Sequence, residues 1–189
     1  MLVRGFKTKC ENISVEIRKK LGLGKIDPLS PEALAEYLGV RLLKPTDIEN
    51  LSEKSRIQLL YKDKDSWSAV TISYLGVDLI AYNPTHSKWR HSSDIMHELS
   101  HIILAHKPSQ IVFLTPDTPI ALRDYNQVLE EEATWLSGCL LLPREALLCI
   151  RRSGISDANV CQKYDVSIDL LTFRMNKTGV NYQIKAVGQ

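Results

Sequence analysis

The sequence predicts an α+β fold in which a small, mostly antiparallel sheet packs against helices. Segments with apolar residues at helical spacing lie on both sides of residues 40–82, a region rich in β-branched and aromatic residues. Glycine, proline and asparagine separate these segments, as expected for connections between elements. With 189 residues, of which 44% are hydrophobic and 24% charged, the chain can bury such a core.

Two helices are expected before the sheet. Residues 8–21 and 31–38 both carry apolar residues at helical spacing. Ser30 suits the N-cap of the second helix, and the proline that follows it suits the first helical position. Gly39 is expected to end this helix in the left-handed conformation.

Four strands are expected in the sheet, at residues 40–43, 57–61, 68–73 and 77–82. The last strand leads through an Asn-Pro turn into the following helix. Residues 107–124 contain three prolines and are expected to form a long loop that overhangs a cleft.

The pentapeptide His-Glu-Leu-Ser-His at residues 97–101 lies in a segment of helical spacing. His97 and His101 are one turn apart and can direct two imidazoles to one metal ion. Glu98 lies about 100° further round the helix, where it suits a base beside the metal rather than a third ligand. This HExxH pattern is typical of zincins and predicts metal-assisted hydrolysis of a peptide bond. The alternative is a helix with two surface histidines and a surface glutamate.

A catalytic zinc needs three protein ligands and one open position. The next candidate ligands are the adjacent residues Glu130, Glu131 and Glu132, in a helical segment that Pro143 ends. Because adjacent residues point to different faces of a helix, only one of the three can reach the same metal as the histidines. The spacing alone leaves the choice among them open.

The helix pair HELSH…EEEATWLSGCLLLP resembles the ImmA/IrrE family of zinc metallopeptidases, in which HExxH is followed by a helix beginning E-x-x-A-(Asn/Asp). Residues 28–40 and 81–84 also resemble family segments, and the likeness extends over roughly residues 10–180. The resemblance implies a zincin-like metallopeptidase core with an HExxH helix and a second ligand helix. It also implies that Glu130 is the third ligand. Thr134 stands where the family usually has Asn or Asp, and its hydroxyl can still accept a hydrogen bond from an imidazole.

By this resemblance, His97, His101 and Glu130 hold Zn²⁺, and Glu98 is the general base that takes a proton from the attacking water. A second donor for the developing oxyanion is expected from one of four side chains, which the sequence does not rank: Tyr125, His106, His91 and Arg90.

The resemblance implies a zinc metallo-endopeptidase that acts on a specific protein, a helix-turn-helix repressor encoded nearby on mobile DNA. Two alternatives stay open. One is a zinc-dependent transcriptional regulator that binds protein or DNA with little proteolysis. The other is a purely structural metal site, which would use a fourth protein ligand and would leave Glu98 without a purpose.

The chain is expected to comprise a metallopeptidase domain, residues 1–155, and a helical C-terminal segment, residues 156–189, packed on it. Residues 160–175 have the rhythm of a helix-turn-helix, which would permit DNA contact. The second helix offers only Arg174 and Lys177 as cations against Asp169, and the net charge is +2. Packing is therefore favoured over DNA contact. The basic cluster within residues 1–20 is expected to be a solvated face, and the alternative is contact with a phosphate backbone or an acidic partner.

The four cysteines show no C-x-x-C pairing, which favours free thiols in a reducing compartment. No apolar run approaches the ~20 residues that span a bilayer, and the N-terminus lacks the apolar stretch of a signal peptide. We therefore expect a cytoplasmic protein with no membrane partner.

Overall fold

The computed structural model describes residues 2–49, 51–74, 76–106, 110–115, 118–122 and 126–187. Its helices span Phe6–Lys20 (α1), Pro31–Leu38 (α2), Glu53–Ile57 (α3), Lys88–Ile103 (α4), Gln127–Leu141 (α5), Arg144–Ser153 (α6), Asp157–Tyr164 (α7), Ile168–Lys177 (α8) and Val180–Val187 (α9). Its strands span Arg41–Leu43 (β1), Ala69–Tyr74 (β2), Val77–Tyr82 (β3), Gln110–Thr115 (β4) and Thr118–Leu122 (β5).

The strands form one sheet in the order β1-β3-β2-β5-β4. The pairing of β1 with β3 is parallel, and the other pairings among the described strands are antiparallel. In the β2–β3 hairpin, Thr71 lies opposite Ile80, and both side chains are buried. Helix α4 packs against both of these strands. The predicted α+β class and the mostly antiparallel sheet are confirmed.

The helices before the sheet agree with the sequence patterns. Ser30 accepts hydrogen bonds from the backbone N–H groups of residues 32 and 33, and α2 begins at Pro31. Gly39 ends α2 with a φ of 70°, a left-handed conformation that costs glycine little.

The strand predicted at residues 57–61 is wrong. Ser52 caps a short helix, α3, by accepting a hydrogen bond from the N–H of Ser55, and a π-helical turn over Gln58–Lys62 continues it. Ile57 and Tyr61, four residues apart, are both exposed, at 41% and 72%. A spacing of four residues fits one face of a helix and also one face of a strand, so the spacing does not exclude a strand, and the apolar content of the segment misled the prediction.

The loop predicted at residues 107–124 is also wrong for its described part, which forms β4 and β5. The run Ile-Val-Phe-Leu at residues 111–114 favours a strand and outweighs the prolines that suggested a loop. Strand β5 pairs with β2 at Ser73 and Ala121, so this hairpin extends the sheet beyond β2.

Helix α5 runs through the hydrophobic core, and its C-terminal half is buried from Trp135 onwards. The last carbonyl groups of a helix have no partner within the helix. Here they are satisfied by side chains from α1 and α8. Arg18 Nη2 donates to the carbonyl of Leu140 at 2.6 Å, and Arg174 Nε donates to that of Leu142 at 3.0 Å. Both arginines are fully buried, so the far end of α5 is fixed by two internal cations.

These cations are compensated within the core. Arg174 donates through Nη2 to the Glu11 carboxylate at 2.5 Å, and the other oxygen of Glu11 accepts the backbone N–H of Arg144 at 2.9 Å. Burial lowers the pKa of Arg18 to about 10, which leaves its guanidinium charged at neutral pH. A Cβ on Gly138 would lie 2.9 Å from Arg174 Cδ, so glycine makes room for this side chain.

The C-terminal helices contribute to the same core, which includes residues of α7 and α8 and Val180 of α9. Arg174, one of the two cations that could have favoured DNA contact by α8, is buried and cannot reach a phosphate. The division into residues 1–155 and 156–189 stays a prediction.

Among the described residues, no single helix combines the length and apolar character needed to cross a bilayer. Helices α5 and α6, which meet at 47°, satisfy those criteria only as a pair.

Candidate metal centre

Helix α4 carries the HExxH motif on the edge of the core. Its buried face includes Ile95, Met96 and Leu99, which anchor the helix. His101 is 2% exposed on the border of this face, whereas the side chain of His97 is 26% exposed. The two imidazoles therefore lie at the edge of the core, on a helix that packing holds in place.

The turn before α4 is fixed by a buried asparagine. Asn83 Nδ2 donates to the carbonyl groups of Lys64 and Trp67, and its Oδ1 accepts from the backbone N–H of Thr85. These bonds satisfy both ends of the amide between β3 and α4. The direction in which the chain enters α4 is therefore set by hydrogen bonds as well as by packing.

Helix α5 lies alongside α4 and supplies the carboxylate. Asn126 caps it by accepting from the backbone N–H groups of Val128 and Leu129, which places Glu130 in the first turn. Ala133, one turn further on, is fully buried, and its small side chain lets helices approach closely.

Three side chains bring atoms that can ligate a metal together between α4 and α5. Nε2 of His97 lies 3.0 Å from Glu130 Oε2 and 3.1 Å from Nε2 of His101. His101 Nε2 lies 3.4 Å from Glu130 Oε1. Tetrahedral ligands at 2.0–2.1 Å from a zinc ion lie about 3.3–3.4 Å from one another. Two neutral imidazoles and one carboxylate at these separations fit a zinc-sized divalent cation.

A third histidine, His106, contacts the ring of His101 at Nδ1. His106 Nδ1 lies 2.9 Å from His101 Nδ1, and His106 Nε2 lies 3.1 Å from Glu132 Oε2. A carboxylate only accepts hydrogen bonds, so Nε2 of His106 carries a proton, and in the singly protonated ring Nδ1 is an acceptor. In that form His101 donates through Nδ1, and the lone pair of its Nε2 is directed at His97 and Glu130.

The end of α4 brings His106 to this place. The backbone N–H of His106 donates to the carbonyl of His101 at 3.0 Å, and Ala105 between them has a φ of 54°. A left-handed residue at this position turns the chain back over the last turn of the helix. Alanine adopts this conformation at a cost of about 1 kcal/mol, which the buried His106–Glu132 pair helps to offset.

Glu98 follows His97 on α4 and is not one of the three clustered residues. Thr71, buried on β2, donates through Oγ1 to Glu98 Oε2 at 2.5 Å. The hydrogen bond orients one carboxylate oxygen and ties the motif helix to the sheet. Sequence reasoning missed Thr71, because no spacing rule connects residues 27 positions apart.

The other two predicted glutamates lie on different faces of α5. Glu131 is near Gln127, whose Nε2 is 3.4 Å from Glu131 Oε1, and Glu132 contacts His106. Thr134 is exposed, and the group that contacts His101 Nδ1 is His106. Of these three adjacent glutamates, only Glu130 belongs to the cluster with His97 and His101.

Three of the four candidate oxyanion donors lie within the described residues. Arg90 is 3.7 Å from Asp94 and donates to Ser68. His91 packs edge-on against the ring of Tyr82, and His106 contacts His101 at Nδ1, the ring nitrogen that does not face the donor cluster. Burial raises the pKa of Asp94, and the nearby Arg90 opposes that shift. Tyr125 lies outside the described residues.

An HExxH helix that packs on a mixed sheet and lies beside a glutamate-bearing helix is typical of metallopeptidases. The chain matches the Peptidase M78 family, described as the IrrE N-terminal-like domain, over residues 35–176. Because this match covers about three quarters of the chain, the protein belongs to that metallopeptidase family, which confirms the ImmA/IrrE resemblance. No curated protein shows significant sequence similarity to the chain.

Proposed function

We propose that the protein is a zinc-dependent endopeptidase that hydrolyses a peptide bond in one specific protein. The observation that carries the proposal is the convergence of His97, His101 and Glu130 in a cluster without a fourth protein ligand among the described residues, on a helix that also carries Glu98. A structural zinc site would be closed by a fourth protein ligand, and Glu98 would have no function in it. Among the described residues, the donor cluster has three members.

Zinc bound here would polarise the scissile carbonyl and lower the pKa of a water molecule towards ~7. Glu98 accepts the proton of the attacking water and passes it to the leaving amine. Thr71 holds the carboxylate of Glu98 in the position from which it does so. His106, itself hydrogen-bonded to Glu132, keeps the donor lone pair of His101 directed at the metal position.

For the substrate, we propose a helix-turn-helix repressor encoded near the gene, in the cytoplasm. This step rests on the family resemblance alone, because a fold does not define a substrate. The alternative is a zinc-dependent regulator that acts by binding protein or DNA. The burial of Arg174 speaks against the DNA-binding form of this alternative, since α8 then presents few cations.

Glu98→Gln separates catalysis from binding. The variant is expected to retain one zinc ion per chain and to cleave the repressor about 10²–10⁴-fold more slowly. Metal content is measured by elemental mass spectrometry, and cleavage is measured by mass spectrometry of the repressor fragments. Glu36→Gln, the same change at an exposed residue of α2 outside the donor cluster and the groove, is the matched control and is expected to cleave normally.

Thr71→Val tests the positioning of Glu98. It is expected to slow cleavage about tenfold while zinc content is unchanged, because the base stays present but loses an orienting hydrogen bond.

If Glu98→Gln relieves repression in cells as well as the wild type does, regulation by binding replaces the endopeptidase proposal.

A further inference from the structure

A groove lies along α5, between residues of α1 and α8. It has a volume of about 660 Å³, and Glu130 belongs both to its lining and to the metal centre. Thr134, one turn further along α5, also lines it. A chain segment lying in this groove would therefore pass directly beside the metal position.

The groove has an aromatic floor. The rings of Trp135 and Phe173 meet edge to face with their centroids 6.1 Å apart. Trp135 is only 7% exposed, and Arg174 lies 5.7 Å from its ring centroid, so packing fixes the indole. The partly exposed apolar side chains of the lining are those of Leu2 and Phe173, which favour an aromatic or large aliphatic side chain.

Two exposed lysines stand on the walls of the groove. Lys7 comes from α1, with Nζ 4.0 Å from the ring centroid of Trp135, and Lys177 comes from the end of α8. The carboxylates in the lining are those of Glu130 and Glu131. With a divalent cation on Glu130, the positive charges along the groove exceed the negative ones, which favours an acidic occupant.

We propose that this groove binds the substrate residues next to the scissile bond and selects an aromatic or large aliphatic residue accompanied by an acidic one. The inference rests on the proposed endopeptidase function and specifies its substrate class. The aromatic floor supplies the apolar contact, and Lys7 and Lys177 supply the preference for negative charge.

The test uses peptide hydroxamates, whose hydroxamate group chelates a zinc ion that has an open position. Each probe carries a phenylalanine next to the chelating group and an aspartate, asparagine or lysine beyond it. Two series are made, with the residues before or after the chelating group, so that a probe can enter the groove from either direction. Affinities for the zinc-loaded protein are measured by calorimetry.

The charge reversals Lys7→Glu and Lys177→Glu are compared with Lys20→Glu. Lys20 is exposed on the same helix as Lys7 and lies about 20 Å further along it, so this control changes the net charge equally. We expect the aspartate probe of one series to bind wild type about five- to tenfold more tightly than the lysine probe. Each groove reversal should abolish or invert that ratio, and Lys20→Glu should preserve it.

Equal affinity for the aspartate and lysine probes in both series, unchanged by Lys7→Glu, would overturn the groove assignment while leaving the open metal site intact. If no hydroxamate binds the zinc-loaded protein, the open metal site itself is wrong. The endopeptidase proposal and the groove assignment would then fail together.

Discussion

His106→Ala gives the sharpest test of how the metal centre is organised. In the structure, the side chains of His101 and His106 are 3% and 5% exposed, and their Nδ1 atoms are 2.9 Å apart. Removing the His106 ring takes away the acceptor of the His101 Nδ1–H group. It also leaves a cavity against Glu132.

The magnitude follows from this burial. A buried donor that loses its partner costs about 1–3 kcal/mol. When the donor belongs to a metal ligand, loss of its supporting partner weakens metal binding about 10–100-fold. That range corresponds to about 1.4–2.7 kcal/mol, so the two estimates agree. We expect His106→Ala to bind zinc about 10–100-fold more weakly than wild type.

The assay is a competition titration of the metal-free protein against a chromophoric zinc chelator at fixed pH. Glu132→Gln should have an intermediate effect, because a neutral amide oxygen can still accept from His106 but does so more weakly than a carboxylate. Thr134→Ala is the control and should bind zinc as wild type does, because this side chain is exposed. Unchanged affinity in a folded His106→Ala variant would refute the proposed role of His106.

Two further predictions concern the ligand set and the thiols. Glu130→Ala should lose zinc while Glu131→Ala keeps it, as measured by elemental mass spectrometry after dialysis; retention by the first and loss by the second would show that the wrong carboxylate has been chosen. In the folded protein at pH 8, Ellman's reagent should modify Cys149 quickly, because this thiol is exposed. Cys10 and Cys139 should react only on unfolding. Both are buried, and burial raises the pKa of Cys10 to about 12 and also raises the pKa of Cys139. Rapid modification of three or four thiols would contradict the packing of α1 on α5.

Local rules predicted the fold where each element carries its own signals. Helix α2 has a cap, an initial proline and a terminal glycine, and its bounds match the prediction. Residues 57–61 carry apolar content without alternation, and the cap at Ser52 determined the outcome. In residues 107–124, prolines were weighted above a β-branched run. Both errors come from one compositional signal, apolar content in the first segment and prolines in the second, that outweighed a helix cap and a β-branched run.

The site also contains residues that local spacing predicts and residues that it does not. The i, i+4 spacing of His97 and His101 places both histidines from one helix, and the structure brings them together. Glu130 needed the family resemblance, since three adjacent glutamates are equivalent by spacing. Thr71 and the His106–Glu132 pair come from strand registry and from a left-handed residue at Ala105, which a single sequence does not reveal.

The two arginines that hold the far end of α5 have a consequence for protein synthesis. Arg18 leaves the ribosome long before Glu130, but Arg174 follows it by 44 positions. Until residue 174 has emerged, the carbonyl of Leu142 lacks its donor and Glu11 lacks its cation. We expect a nascent chain stalled before this point to show weak zinc affinity, so that hydrolysis begins only after translation has passed it.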